Sequence, residues 1–149
     1  MKMNKIKAIH IDDEQDSLEV MKLLLDRYCP NVDLVASADT VDKGIELVKI
    51  HHPHLVFLDV EMPGKNGFEL LDVLNNKPQI IFVTGKTEYA FKAFNYDATD
   101  YLQKPITRER FNVAVEKALE QHKLKQDFTD IDGEHIFVKS NLKKRKVYI

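Results

Sequence analysis

The carboxylate best placed for chemistry in this sequence is that of Asp59, which directly follows an apolar run at residues 55–58. An earlier apolar run, at residues 6–11, is followed by acidic residues in the same manner. These residues are Asp12, Asp13 and Glu14. Open α/β sheets bind ligands outside the carboxyl ends of their strands, so two such strand ends would bring their carboxylates to one edge of a sheet. The sequence therefore predicts an acidic pocket that binds a cation.

Two further side chains follow strand-like runs and belong to the same predicted edge. Thr84 ends the run at residues 80–84, and Lys104 follows a short run at residues 100–103. A hydroxyl and an ammonium at this edge could hold a phosphoryl group on one of the carboxylates. Taken singly, Lys104 is better interpreted as a solvated loop lysine and Thr84 as an ordinary strand-end threonine. Their coincidence with Asp59 reverses both interpretations.

Carboxylates gathered at this edge require a counter-charge. Three ionised carboxylates within about 5 Å repel one another by several kcal/mol at an effective dielectric constant of about 20. Mg²⁺ fits best, because it prefers oxygen ligands and binds one or two carboxylates together with water and phosphate oxygens. The structural alternative is that Asp12 or Asp13 caps the first helix while Asp16 interacts favourably with its dipole. That alternative explains only one of the two carboxylate clusters.

The elements that position these residues alternate between strand-like and helix-like segments, which is typical of parallel βαβ units. Thr40 can cap the second helix, and Pro30 and Pro53 mark the ends of the first and second helices. The predicted strands are residues 6–11, 32–38, 55–59, 80–84 and 100–103. The predicted helices have their apolar positions within residues 18–28, 41–48, 68–74, 89–94 and 111–125. The last helix is predicted to end near residue 125.

The ordered set Asp12, Asp13, Asp59, Thr84 and Lys104-Pro105 resembles the phosphoacceptor receiver domain of two-component response regulators. The resemblance covers roughly residues 5–125. It implies an α/β, flavodoxin-like, doubly wound fold: a five-stranded parallel sheet of order 2-1-3-4-5 with five helices. It also implies a receiver domain at residues 1–125. Because X-Pro bonds adopt the cis form in about 5 to 6% of cases, Lys104-Pro105 is a candidate cis peptide that the resemblance makes more credible.

The resemblance assigns a role to each residue of the set. Asp59 would accept a phosphoryl group from a sensor histidine kinase, and Lys104 and Mg²⁺ would neutralise charge on the phosphoryl oxygens. Asp13 and Asp59 would bind Mg²⁺ directly, the main-chain carbonyl of Glu61 would add a ligand, and Asp12 would act through water. The chain would not be an enzyme beyond supporting its own phosphotransfer and slow autodephosphorylation.

The resemblance also implies a switch formed by Thr84 and Tyr101, in which the aromatic ring turns inward as the threonine moves toward the phosphate. The alternative for Tyr101 is an aromatic residue on an edge strand, and the two interpretations carry similar weight. The resemblance leaves open whether phosphorylation produces a homodimer.

The stretches at residues 88–94 and 100–106 resemble receivers that precede a LytTR-type DNA-binding domain. Residues 126–149 are predicted to be a linker and a short β-hairpin, with β-like segments at residues 136–138 and 147–149. Because an isolated hairpin is marginally stable in water, we interpret this tail as the truncated start of such a domain. DNA is then expected as a partner through the missing C-terminal domain.

Composition limits the function classes. With 44% hydrophobic and 31% charged residues in 149, the chain fits one globular domain with a tail, and its net charge of −2 predicts neither nucleic acid nor membrane as a partner. No signal-peptide pattern or membrane-spanning run is evident, so a cytoplasmic location is expected. The single cysteine, Cys29, is interpreted as structural.

Two other functions would use residues at the same edge of the sheet. A haloacid-dehalogenase-like Mg²⁺ phosphatase also uses an aspartyl nucleophile, but that family places Asp two residues later, where this chain has Glu61. A flavodoxin-like cofactor site would need glycines and hydroxyls in the loop at residues 12–16, which is acidic. Two other groups are interpreted as solvated: the histidines, which lack zinc-site spacing, and a basic cluster. They are His51, His52 and His54, and residues 143–146.

Overall fold

The computed structural model describes residues 5–75 and 77–129, and within them strands and helices alternate strictly along the chain. The strands are β1 (Ile6–Ile11), β2 (Val32–Ala38), β3 (Leu55–Leu58), β4 (Gln79–Thr84) and β5 (Asp100–Gln103). The helices are α1 (Gln15–Tyr28), α2 (Val41–His51), α3 (Gly67–Val73), α4 (Ala90–Asn95) and α5 (Arg108–Thr129). The predicted cap of α2 is confirmed, because the Thr40 side chain accepts a hydrogen bond from the backbone N–H of Lys43.

The strands form one sheet in the order β2-β1-β3-β4-β5, and every neighbouring pair is parallel. This is the predicted flavodoxin-like arrangement, and the prediction is confirmed. The order reverses between β1 and β3, so the loops that follow these two strands lie side by side. In such a sheet this crevice is the usual ligand site.

The sheet separates two apolar cores because alternate side chains of a strand point to opposite faces. One core joins the sheet to α2, α3 and α4; the other joins it to α1 and α5. From β3, the first core takes Val56 and Leu58 and the second takes Leu55 and Phe57. Burial on both faces explains why this strand reads as a continuous apolar run.

The last helix is longer than predicted. The sequence suggested an end near Lys125, but α5 continues to Thr129. The prediction was wrong because it followed the apolar positions, and the helix extends past them into a polar stretch at residues 125–127. The hairpin predicted for residues 136–149 lies outside the described residues.

Among the helices of residues 5–75 and 77–129, none combines the length and apolar character needed to cross a lipid bilayer.

Candidate functional site

The carboxyl ends of the strands bring the predicted residues to one edge of the sheet. Asp12 follows β1, Asp59 follows β3, Thr84 ends β4 and Lys104 follows β5. Backbone hydrogen bonds continue the sheet beyond the strands: the Asp59 N–H donates to the Ile11 carbonyl at 2.9 Å, and the Lys104 N–H donates to the Thr84 carbonyl at 2.8 Å. The backbones of these residues are therefore fixed by the sheet.

The loop after Asp59 is fixed by a close backbone approach at the start of α3. A Cβ atom at Gly67 would lie 2.4 Å from the Asp59 carbonyl oxygen, so this position requires glycine. The Gly67 N–H donates to the Val60 carbonyl at 2.9 Å, and Asn66 and Glu69 form a capping box at the helix start. These contacts hold the Asp59 loop against the sheet.

The ammonium of Lys104 lies among three carboxylates. Its Nζ atom is 2.6 Å from Glu14 Oε1, 2.9 Å from Asp12 Oδ2 and 3.2 Å from Asp59 Oδ2. The contact with Asp12 is short enough for an ion pair, but its angles are not those of a hydrogen bond. The lysine side chain is itself largely buried, and the Lys104-Pro105 peptide is cis, as predicted. Lys104 therefore neutralises part of the charge at this edge.

The carboxylates of Asp12, Glu14 and Asp59 could hold a cation. One oxygen from each lies within 4.8 Å of the others, and Asp12 and Asp59 are buried whereas Glu14 is exposed. Three carboxylates against one ammonium leave net negative charge, and the buried Asp12 Oδ2 accepts no hydrogen bond. An oxygen-only, negatively charged donor set suits Mg²⁺.

The structure distributes the predicted metal residues unevenly. Asp12 and Asp59 meet, but Asp13 is exposed and contributes no atom to the group of carboxylate oxygens just described. Glu14, for which no specific role was predicted, makes the shortest contact to Lys104. Its place in the acidic run at residues 12–14 was a signal that could have identified it. Glu61 donates its backbone N–H to Asp59 Oδ1 at 3.3 Å.

The two residues predicted to form a switch, Thr84 and Tyr101, lie on the neighbouring strands β4 and β5. Thr84 is buried, and the half-buried Tyr101 ring packs 6.2 Å from that of Phe82. The Tyr101 hydroxyl donates to the Lys86 carbonyl. The side chain of Lys86 makes a separate contact, because its Nζ lies 3.4 Å from the carboxylate of Glu61. The loop after β4 is thus joined to β5 and to the loop after β3.

The pocket shifts the pKa values of its two buried aspartates in opposite directions. Burial, reinforced by the charge of Asp12, raises the pKa of Asp59 to about 6 although Lys104 opposes this. Burial also acts to raise the pKa of Asp12, but His10, Lys104 and the Glu14 N–H outweigh it, so that pKa is lowered. The pKa of Lys104 is raised because its carboxylate partners outweigh its burial. Without a cation, ionisation of Asp59 is therefore less favourable than ionisation of Asp12.

We predict that Asp59→Asn stabilises the cation-free fold at neutral pH. Because the pKa of Asp59 is about 6 in the folded protein against 3.8 as its ordinary value, protonation stabilises the fold below pH 4. That contribution is lost as the pH rises through about 6. At pH 7 the variant should exceed the wild type in free energy of unfolding by about 2 kcal/mol, measured by urea denaturation in chelator.

The gap should close as the pH falls towards 4, because wild-type Asp59 is then neutral too. Asp16→Asn, on the exposed first turn of α1, is the matched control and should not exceed the wild type in free energy of unfolding at pH 7. Equal stabilities of the wild type and Asp59→Asn at pH 7 would contradict the raised pKa.

Comparisons with known proteins agree with the fold. The family profile described as "Response regulator receiver domain" matches residues 8–116. The REC domain of AraT, a response regulator from Geobacillus stearothermophilus, superposes with a TM-score of 0.74 at 29% identity, covering 81% of this chain and 98% of that one.

Curated relatives are longer than this chain. A protein named Sensory transduction protein LytT from Bacillus cereus is 35% identical over 133 residues, which covers 87% of this chain and 52% of the relative. The Transcriptional regulatory protein BtsR from Shigella flexneri is 35% identical over 124 residues, which covers 82% of this chain and 51% of the relative. The chain therefore spans about half the length of the curated relatives it matches.

Proposed function

Because the chain belongs to the response regulator receiver domain family, we propose that it is a phosphorylation-controlled switch whose acceptor is Asp59. A sensor histidine kinase donates the phosphoryl group, Mg²⁺ is the cofactor, and the output is transcriptional. The observation that carries this proposal is the Asp59 carboxylate itself: it is only 4% exposed, lies 3.2 Å from Lys104, and shares its pocket with Asp12.

The transfer follows from the positions of these groups. An Asp59 carboxylate oxygen attacks the phosphorus of a phosphohistidine in line; the new O–P bond forms as the P–N bond breaks, and the imidazole leaves. When bound by Asp13, Asp59 and the Glu61 carbonyl, with Asp12 acting through water, Mg²⁺ would supply positive charge to the phosphoryl oxygens. Lys104, whose Nζ lies 3.2 Å from Asp59 Oδ2, supplies a second positive charge.

Thr84 and Tyr101 would change position in response to phosphorylation of Asp59. Thr84, at the end of β4, donates its hydroxyl to a phosphoryl oxygen and moves toward Asp59. The half-buried Tyr101 ring then turns inward into the space that the threonine leaves. The Tyr101 hydroxyl now donates to the carbonyl of Lys86, in the loop that follows Thr84. This contact supports the proposed coupling between Thr84 and Tyr101.

The experiment that tests the proposal is phosphorylation by a small acyl phosphate with and without Mg²⁺, followed by intact mass. A persistent gain of one phosphoryl group that requires Mg²⁺ supports the switch. Rapid turnover of the donor without an accumulated product would instead support a phosphatase. No external substrate is part of the proposed activity, which is limited to phosphotransfer to Asp59 and slow autodephosphorylation.

We predict that Asp12→Asn and Asp59→Asn each raise the Kd for Mg²⁺ about tenfold or more, because each removes a negative charge that attracts the cation. Isothermal titration calorimetry is the measurement, and Asp16→Asn is the matched control with the same charge change outside the pocket. Unchanged affinity in both variants would place the ion elsewhere. Asp13→Asn tests the exposed member of the proposed set: if only this variant binds normally, Glu14 is the better candidate for a third carboxylate.

The output is proposed from the relatives and the tail. The relatives named as a sensory transduction protein and a transcriptional regulatory protein are about twice as long as this chain. We propose that residues 1–125 are the receiver and that residues 126–149 begin a LytTR-type DNA-binding domain. DNA would then be contacted through the region that follows, phosphorylation could produce a homodimer, and the protein would act in the cytoplasm.

We predict that a chain shortened to residues 1–129 retains Mg²⁺ binding and Asp59 phosphorylation. Every proposed pocket residue lies before Ile106, and the cut preserves α5 to its end at Thr129. Calorimetry and intact mass on the shortened and complete chains provide the comparison. Failure of the shortened chain to fold or to accept phosphoryl would show that the tail belongs to the receiver.

A further inference from the structure

A buried histidine lies directly beneath the acidic pocket and has no part in the proposed phosphotransfer. His10 is 1% exposed, and its ring packs edge-on against Phe57 at a centroid distance of 6.3 Å. It lies two residues before Asp12 on β1, so the two side chains leave the strand on the same face. Among the described residues, neither of its ring nitrogens has a hydrogen-bond partner.

One of these nitrogens faces a carboxylate oxygen that has an ion-pair partner, Lys104, but no hydrogen-bond partner. His10 Nε2 is 3.7 Å from Asp12 Oδ2, which is also buried and accepts no hydrogen bond. Asp12 Oδ1, by contrast, accepts the Glu14 N–H at 2.9 Å. Buried polar groups without partners are costly and rare, and here a donor and an acceptor face each other less than 1 Å beyond hydrogen-bond distance.

We propose that His10 is a positioning residue for Asp12, donating its Nε2–H to Oδ2 and so fixing the carboxylate for divalent-cation binding. The inference rests on the proposed function, since it concerns the same pocket. A neutral histidine ring carries its proton on a single nitrogen, and the hydrogen-bond partner decides which one. The acceptor at Oδ2 selects Nε2 as that nitrogen.

The ring then has a defined role in the site. Lys104 Nζ lies 2.9 Å from Asp12 Oδ2, and the buried His10 Nε2 lies 3.7 Å from the same oxygen, so both side chains can act on one carboxylate oxygen. Residues that hydrogen-bond a metal ligand typically contribute 10- to 100-fold to metal affinity. Loss of the His10 donor should therefore weaken cation binding without removing any ligand.

The test uses two substitutions that differ in one property. His10→Leu removes the donor with little change in volume, whereas His10→Gln keeps an N–H donor the same number of bonds from Cα. We expect the Kd for Mg²⁺, measured by calorimetry on the complete chain, to rise about tenfold in His10→Leu and to return close to the wild-type value in His10→Gln. In an Asp12→Ala background, His10→Leu should have no further effect, because the acceptor of the His10 N–H is already absent.

Each result decides the matter. Wild-type affinity in His10→Leu, or equal weakening in both variants, would overturn the proposal, the latter by showing a packing role alone. If His10→Leu does not fold, nitrogen NMR of the wild-type ring still tests the pair: a proton on Nε2 supports it and a proton on Nδ1 overturns it. A wild type that shows Nε2–H but binds no Mg²⁺ would contradict the proposed cofactor and leave the His10–Asp12 pair standing.

Discussion

Asp59→Asn is expected to abolish phosphorylation completely. An amide oxygen is a poor nucleophile, and its reaction would not give an acyl phosphate. The Asp59 carboxylate is buried, and its negative charge is stabilised by two groups. Lys104 Nζ lies 3.2 Å from Oδ2, and the Glu61 N–H donates to Oδ1. With an acyl phosphate donor and Mg²⁺, intact mass should show one added phosphoryl group on the wild type and none on the variant.

The control must separate loss of the acceptor from loss of negative charge. Asp16→Asn removes the same charge from an exposed position on α1 and should be phosphorylated normally. An undiminished mass gain in Asp59→Asn would move the acceptor to another residue. Because Asp59→Asn is also expected to stabilise the cation-free fold, loss of phosphorylation in a more stable protein could not be attributed to unfolding.

The sheet and its site edge could be predicted because a single physical property marks them. Strands buried on both faces read as short apolar runs, and the first polar residue after each run marks the carboxyl end. Asp59 and Lys104 were located in this way, and the parallel order of the strands then brings their ends together. Topology supplied the contacts between residues 45 positions apart in the chain.

Details that depend on side-chain direction could not be predicted. Of the adjacent Asp12 and Asp13, the first is fully buried and the second exposed, and composition alone does not distinguish them. His10 reads as one polar residue in an apolar run, and only the packed strand reveals that its ring lies beneath Asp12. The end of α5 was misplaced because the apolar pattern stops before the hydrogen-bonded helix does.

Lys104→Ala is expected to uncouple phosphorylation from its structural consequence. In the unphosphorylated protein the ammonium contacts Glu14, Asp12 and Asp59. To contact a phosphoryl group on Asp59, it must exchange these carboxylate oxygens for phosphoryl oxygens. Its backbone N–H is bonded to the Thr84 carbonyl at 2.8 Å, so a displacement of Lys104 reaches the end of β4 directly. Without the ammonium, that route from the acceptor to the switch residues is lost.

Backbone NMR before and after phosphorylation provides the measurement. In the wild type, the Tyr101 amide should shift when Asp59 is phosphorylated; in Lys104→Ala, intact mass should still show the phosphoryl group while that shift is lost. Lys86→Ala is the matched control, because it removes an exposed ammonium paired with Glu61 and leaves the Lys86 carbonyl that accepts the Tyr101 hydroxyl. A full Tyr101 shift in phosphorylated Lys104→Ala would show that the signal reaches β5 through Thr84 alone.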